Sequence, residues 1–143
     1  MAYATPEQFI KSFSEREAVS LTDEQRTGTV DNEKLQFALE RASSLIDGYL
    51  VGRYKTPWPD TPGVLIGYCC DIARYQLTTD YRRLTDEIKL RYDDAIKFLR
   101  DVASGKVNLG RDTSGSVIQS SSQMRICSGI RQFGRESTRG GAF

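Results

Sequence analysis

Few side chains in this sequence have the capacity for chemistry, and their spacing is poor for it. Cysteine occurs at positions 69, 70 and 127, and histidine nowhere. Adjacent residues on a helix point about 100° apart, so Cys69 and Cys70 do not form a zinc-ligand pair. An odd set with two sequence neighbours is also a poor disulfide framework, and the cysteines read as small apolar residues. Without histidine there is no histidine-based triad, general base or zinc site. The segment TDEQRTGTVDN, Thr22 to Asn32, can be laid on a calcium-loop template with Asp23 first, Gln25 third, Thr27 fifth, Gly28 sixth and Asp31 ninth. Lys34 then stands where a bidentate glutamate is required, and the third and fifth positions lack carboxylates. The segment reads instead as a turn with Gly28 left-handed, followed by Asp31 as a helix N-cap. Asp93, Asp94 and Asp101 have no second acidic cluster to work with. They are interleaved with Lys89, Arg91, Lys97 and Arg100, as on a solvated helix face. No glycine-rich phosphate loop is present. The residues call for no metal or cofactor, and an enzyme is not expected.

What remains is chemistry of contact. Arg74, Arg82 and Arg83, with Tyr75 and Tyr81, make a basic and aromatic cluster that could touch nucleic acid. Such residues more often cap helix carbonyls or pair with acids on a neighbouring helix. Trp58 lies in Lys55-Thr-Pro-Trp-Pro-Asp-Thr-Pro62, where the prolines exclude helix and favour an extended connection. It is either a lid on the core or an exposed anchor for a partner, the lid being the more ordinary role. Trp58, Arg74, Arg82 and Arg83 are therefore the candidates for an interface with a partner or with nucleic acid. The formal net charge of +1 is unevenly spread. Up to Gly110 there are 15 Lys/Arg against 17 Asp/Glu, and from Arg111 onward 5 Arg against 2 acids. A nearly neutral body with a basic tail is not the usual composition of a protein wrapped in nucleic acid.

The elements that position these residues are helical, and the fold class is all-α. The chain of 143 residues suits one core. Its longest amphipathic stretch is Asp31 to Tyr54, DNEKLQFALERASSLIDGYLVGRY, with Leu35, Ala38, Leu39, Ala42, Leu45, Ile46, Tyr49 and Leu50 on one stripe. Gly48, costly inside a helix, is expected to mark a close helix crossing beside Asp47. Thr5-Pro-Glu-Gln8 and Ser14-Glu-Arg-Glu17 are capping boxes that open two short helices before it. Thr61-Pro62 opens the next main helix, whose apolar side is Val64, Leu65, Tyr68, Cys69, Ile72, Ala73 and Leu77, running to about Asp80. Thr85 opens the last, with Ile88, Tyr92, Ala95, Ile96, Leu99, Val102 and Ala103 expected to be buried and Ser104-Gly105 as its stop. The expectation is a small bundle of three main helices plus short N-terminal ones over residues 1–110. No run approaches the roughly eighteen apolar residues of a membrane span, and the N-terminus lacks a signal-peptide pattern, so a cytosolic protein is the default.

From Lys106 the chain is expected to turn away from the bundle. Residues 111–143 are rich in Gly, Ser, Arg and Gln, the composition of a flexible tail. Val117, Ile118, Met124, Ile126, Ile130, Phe133 and Phe143 are too many for a pure spacer, and a segment that folds onto a partner fits both facts.

Four stretches in order, ATPEQFIKSFSEREAVSLTD, ALERASSLIDGYLVGRY followed by the proline loop, CCDIARYQL and RYDDAIKFLRDVASGKVNLG, resemble the small conserved morphogenesis proteins of Mu-like prophages, a family catalogued as a domain of unknown function. The resemblance covers residues 2 to 110. It implies a helical head–tail connector or adaptor of tailed phages: a ring of identical subunits, commonly a dodecamer, beneath the portal and around the DNA passage. The implied partners are further copies of the chain, the portal protein, a tail-side completion or stopper protein, and DNA that passes without sequence-specific binding. The implied location is the host cytoplasm during assembly and then the virion neck. In related adaptors a C-terminal tail inserts against the portal. By position this role falls on Ser122 to Phe133, with Ile126, Ile130 and Phe133 as anchors and Arg125 and Arg131 as polar contacts. The alternative is a helical DNA-binding regulator of a prophage, using the helices around Tyr75 to Arg91.

Overall fold

Asp31 starts the central helix by accepting a 3.1 Å hydrogen bond from the Lys34 backbone N–H, which satisfies one of the amides a helix start leaves unpaired. The computed structural model describes residues 2–78 and 83–111. These form α1 (Pro6–Phe13), α2 (Glu15–Thr22), α3 (Asn32–Leu50), α4 (Gly63–Leu77) and α5 (Asp86–Ala103). The all-α class is as expected. Thr5 closes a reciprocal capping box with Gln8, and Thr85 caps α5 through the Ile88 N–H. Ser14 ends α1 and caps α2 at φ +92° and ψ 151°. That backbone region is ordinarily left to glycine and costs about 1–3 kcal/mol, so the sharp corner between the short helices is strained.

The core lies where α3, α4 and α5 pack on one another, with α1 and α2 against the faces of α3 and α4. Leu35, Leu39, Ile46 and Leu50 of α3 meet Leu65, Cys69 and Ile72 of α4 and Ala95, Leu99 and Val102 of α5, all fully or almost fully buried. Phe9, Ala18 and Leu21 add the short helices to this core. Each fully buried Leu or Ile contributes about 1.5–3 kcal/mol, so packing of the stripe, more than helix propensity, holds α3 in place.

The boundaries differ from the sequence reading for local reasons. α3 stops at Leu50, because the amides of Arg53 and Tyr54 both return to the Leu50 carbonyl at 2.9 Å. This tight turn brings Tyr54 back into the core, where it is 5% exposed. At α4, Pro62 is the N-cap, with an extended ψ of 129° and no side-chain cap bond, so the helix starts one residue late. It ends at Leu77, where the Thr78 amide is shared between the Arg74 and Tyr75 carbonyls and tightens the last turn.

Gly48 is not at a crossing. It is exposed, and a Cβ there would meet nothing within 4 Å. The apolar stripe already excludes it, so its cost is uncompensated. Gly48→Ala is therefore expected to raise unfolding stability by about 0.5–1 kcal/mol, read as a higher urea midpoint at unchanged slope. An unchanged or lower midpoint would count against this placement.

The degenerate calcium loop is the turn that was expected. Gly28 has φ +78°. Asp23 Oδ1 accepts from the Thr27 amide at 2.9 Å and Oδ2 from the Gly28 amide at 2.6 Å. These bonds, that from Thr27 first, hold the Asp23 carboxyl below the usual range. The carboxylate thus organises its own loop, and no cluster of three metal-ligating side chains occurs among the described residues.

Candidate partner interface

The proline loop and the residues after α5 meet at one end of the bundle. Arg53 Nη1 donates to the carbonyls of Val102 and Val107, at 2.9 and 3.1 Å, and so caps the C-terminus of α5. Gly105 permits this: its φ is +87°, and a Cβ would stand 3.5 Å from Arg53 Cζ. Tyr54 Oη donates to Asn108 Oδ1 at 3.1 Å and accepts the Leu109 amide at 3.3 Å. Arg111 Nη2 donates to Asp60 Oδ2 at 2.9 Å. Residues 105–111 are thus strapped across the loop, where the sequence suggested a departure from the bundle.

Trp58 is half-buried on the other side of this loop, its ring centroid 5.1 Å from that of Tyr54. Its Nε1–H donates to Tyr3 Oη at 3.0 Å, and Tyr3 Oη donates to Asp47. The Tyr3 amide donates to Ser43 Oγ at 2.8 Å, which ties the N-terminal segment to α3. Burial, and then the bond to Asp47, push the Tyr3 hydroxyl well above its ordinary range, so it stays a donor. Trp58 therefore packs as a lid while still lining a cavity of about 330 Å³ with Tyr3 and Asp47.

Of the basic cluster, Arg74 is turned inward. Arg74, with 11% of its side chain exposed, donates from Nε to Glu17 at 2.6 Å and lies 4.6 Å above the Phe13 ring. Its Nη1 is 3.7 Å from Glu87, which pairs with Arg91 at 3.1 Å, and Arg91 reaches Asp71 at 3.7 Å. Arg83 donates to the Ser20 carbonyl. This is the ordinary use of such residues, joining α2, α4 and α5. Arg82 lies outside the described residues, as do Arg125, Ile126, Ile130, Arg131 and Phe133. Phe37 and Leu90, by contrast, are large apolar side chains left 67% and 61% exposed on α3 and α5, and Val51 and Val64 are exposed beside the proline loop.

Asp71 carries a pH dependence. Its side chain is 17% exposed, and burial raises its carboxyl above the ordinary range against the lowering pull of Arg91 and Arg74. The native state thus holds this proton more tightly than the unfolded chain. The resulting stability is full below the ordinary pKa of about 3.9 and is lost as pH rises through the raised value. Asp71→Asn is expected to raise unfolding stability at pH 7 by less than about 1 kcal/mol, read as a higher urea midpoint, and to leave it unchanged at pH 3. A lower midpoint at pH 7 would mean that the Arg91 pair outweighs burial.

Cys69 and Cys70 are buried, and desolvation raises both thiols, Cys70 to about 12. They are packing residues, the opposite of the lowered thiols that react. Cys127 lies outside the described residues. The sequence reading missed Tyr3, Asp47 and Arg53. Tyr3 precedes the first cap by only two positions, and Asp47 falls on the stripe's polar flank. Only the chain's return at the proline loop joins them.

A protein-family model described as Bacteriophage Mu, Gp36 matches residues 3–128. The chain belongs to this family. The Mu-like prophage FluMu protein gp36 of Haemophilus influenzae is 36% identical over 138 residues, covering 96% of each chain. Gene product J of Escherichia phage Mu is 34% identical over 83 residues, 58% of this chain and 57% of that protein. The protein is thus a phage protein of the Mu Gp36 family, and the match runs past the bundle into the basic tail as far as residue 128. No helix among the described residues is long and apolar enough to cross a membrane.

Proposed function

We propose that the protein is a structural component of the phage neck, a head–tail connector or adaptor that assembles as a ring beneath the portal and surrounds the DNA passage. One observation carries this reading. In a chain of a phage family, large apolar side chains are left exposed at separate places, among them Phe37 on α3 and Val51 just past its end, besides Val64 and Leu90. Fourteen residues of helix separate Phe37 from Val51 by about 21 Å. Two distinct contact places on one subunit suit a heterologous contact, which closes into a ring when the rotation per subunit allows. The tail supplies the axial contact: Ile126, Ile130 and Phe133 enter an apolar groove of the portal, and Arg125 and Arg131 meet its acidic rim. A tail-side completion protein meets the opposite face, and DNA passes without sequence-specific contact.

The test is truncation after Arg111, which keeps the Arg111–Asp60 pair. The shortened chain is expected to retain its helical circular dichroism and to lose attachment to portal-bearing heads. Negative-stain images of portal mixed with the full chain should show a ring of defined number. Unimpaired attachment of the shortened chain rejects the tail's role. Salt-dependent binding of duplex DNA by the bundle, in place of ring formation, would favour the DNA-binding regulator.

A further inference from the structure

The cavity under Trp58 has an occupant-shaped chemistry. Tyr3 and Trp58 supply aromatic walls, Ala2, Thr56, Pro57 and Thr61 line the rest, and Asp47 contributes a half-buried carboxylate. The Trp58 N–H and the Tyr3 O–H are both engaged in the chain that ends on Asp47 Oδ1. Among the described residues nothing donates a hydrogen bond to Asp47 Oδ2, and no Lys or Arg forms an ion pair with Asp47. A carboxylate that no described cation pairs, in a cavity lined by two aromatic side chains, suits an organic cation, and a guanidinium best, because it can stack on a ring while donating to the carboxylate.

Such a cation begins close by. Arg111 is held on Asp60, the neighbour of Thr61 in the cavity wall. The segment 112–143 is joined to the bundle at Arg111, beside that wall. It carries Arg125, Arg131, Arg135 and Arg139 against only Asp112 and Glu136. Fourteen residues lead from Arg111 to Arg125, a reach of up to about 50 Å when extended. We propose that this cavity is the seat of an arginine from the protein's own C-terminal segment, held in cis in the free subunit. This goes beyond the connector reading and does not depend on it. If the tail also meets a portal, that contact must displace the arginine from its seat.

Trp58 is the sole tryptophan, so its fluorescence reports on this cavity alone. The experiment is acrylamide quenching of the full-length chain without portal. It compares the native protein with a tail variant (R125Q, R131Q, R135Q and R139Q together), with D47N, and with all five substitutions combined. Each of the first two variants is expected to raise the quenching constant about two-fold, and the combination no further than either, because both break one contact. The effect should not change with protein concentration. Native-like quenching of the tail variant, or additive effects, would overturn the proposal. A concentration-dependent effect would assign the seat to the tail of a second copy and overturn docking in cis. D47N also touches the Tyr3 bond, whereas the tail variant alters nothing in the described core and decides the question by itself.

Discussion

Glu17→Ala is expected to lower unfolding stability by about 2–3 kcal/mol, the largest effect of any single charge removal in the bundle. The reason lies with its partner. Arg74 is almost enclosed, its guanidinium pinned above Phe13, and Glu17 provides its one short ion pair, at 2.6 Å. Glu87, at 3.7 Å and itself largely exposed, compensates only in part. Removing Glu17 therefore leaves a desolvated cation, which costs more than the pair contributes. Glu17→Gln keeps an acceptor and should cost about 1 kcal/mol. Combining Glu17→Ala with Arg74→Met should recover much of the loss, because an apolar replacement of both partners leaves no stranded charge. Urea unfolding at pH 7 measures all three. A loss below about 0.5 kcal/mol for Glu17→Ala would show that the pair behaves as a surface contact.

Leu39→Ala is expected to cost about 3–4 kcal/mol, a large share of the roughly 5–15 kcal/mol typical of a domain. Leu39 is fully buried on the face that α3 turns to α4. The backbone around it has little freedom to collapse into the space left behind. Its carbonyl accepts Ser43 Oγ at 2.7 Å, and Ser43 also receives the Tyr3 amide, so α3, α4 and the N-terminal segment are tied at this level. The lost transfer energy and the residual cavity thus add. Leu90→Ala on the exposed side of α5 is the control, expected to change stability by less than about 0.5 kcal/mol. A Leu39→Ala cost near that of Leu90→Ala would place the α3 stripe elsewhere.

The contrast between Leu39 and Gly48 shows how far pattern reading reaches. Periodicity places Leu39 on the stripe, and periodicity is a property of one helix that needs no neighbour. The cost of Gly48 does not by itself locate a crossing, because a crossing is a relation between two helices that composition does not encode. The same distinction separates Asp31 from Asp47. Asp31 acts on an amide three residues away, and its role follows from local spacing. Asp47 acts on Tyr3, 44 residues away in sequence, and no local signal announces that contact. The basic cluster was legible as residues and open as to role, because whether an arginine faces solvent or an acid depends on what packs over it.

The sequence by itself therefore determined the helices, the caps at Thr5, Ser14, Asp31 and Thr85, the buried stripe, the failure of the calcium loop and the inert character of Cys69 and Cys70. Each of these rests on the period of a helix or on bonds between residues a few positions apart, whose energies are set by local geometry. Only the tertiary structure decided that Arg74 is an internal strut, that residues 105–111 are strapped over the proline loop by Arg53 and Tyr54, and that Tyr3, Asp47 and Trp58 share one cavity. Those contacts join residues some 40 to 60 positions apart. They exist because α3, α4 and α5 bury one another's stripes, and that packing fixes which polar side chains are left within reach of each other.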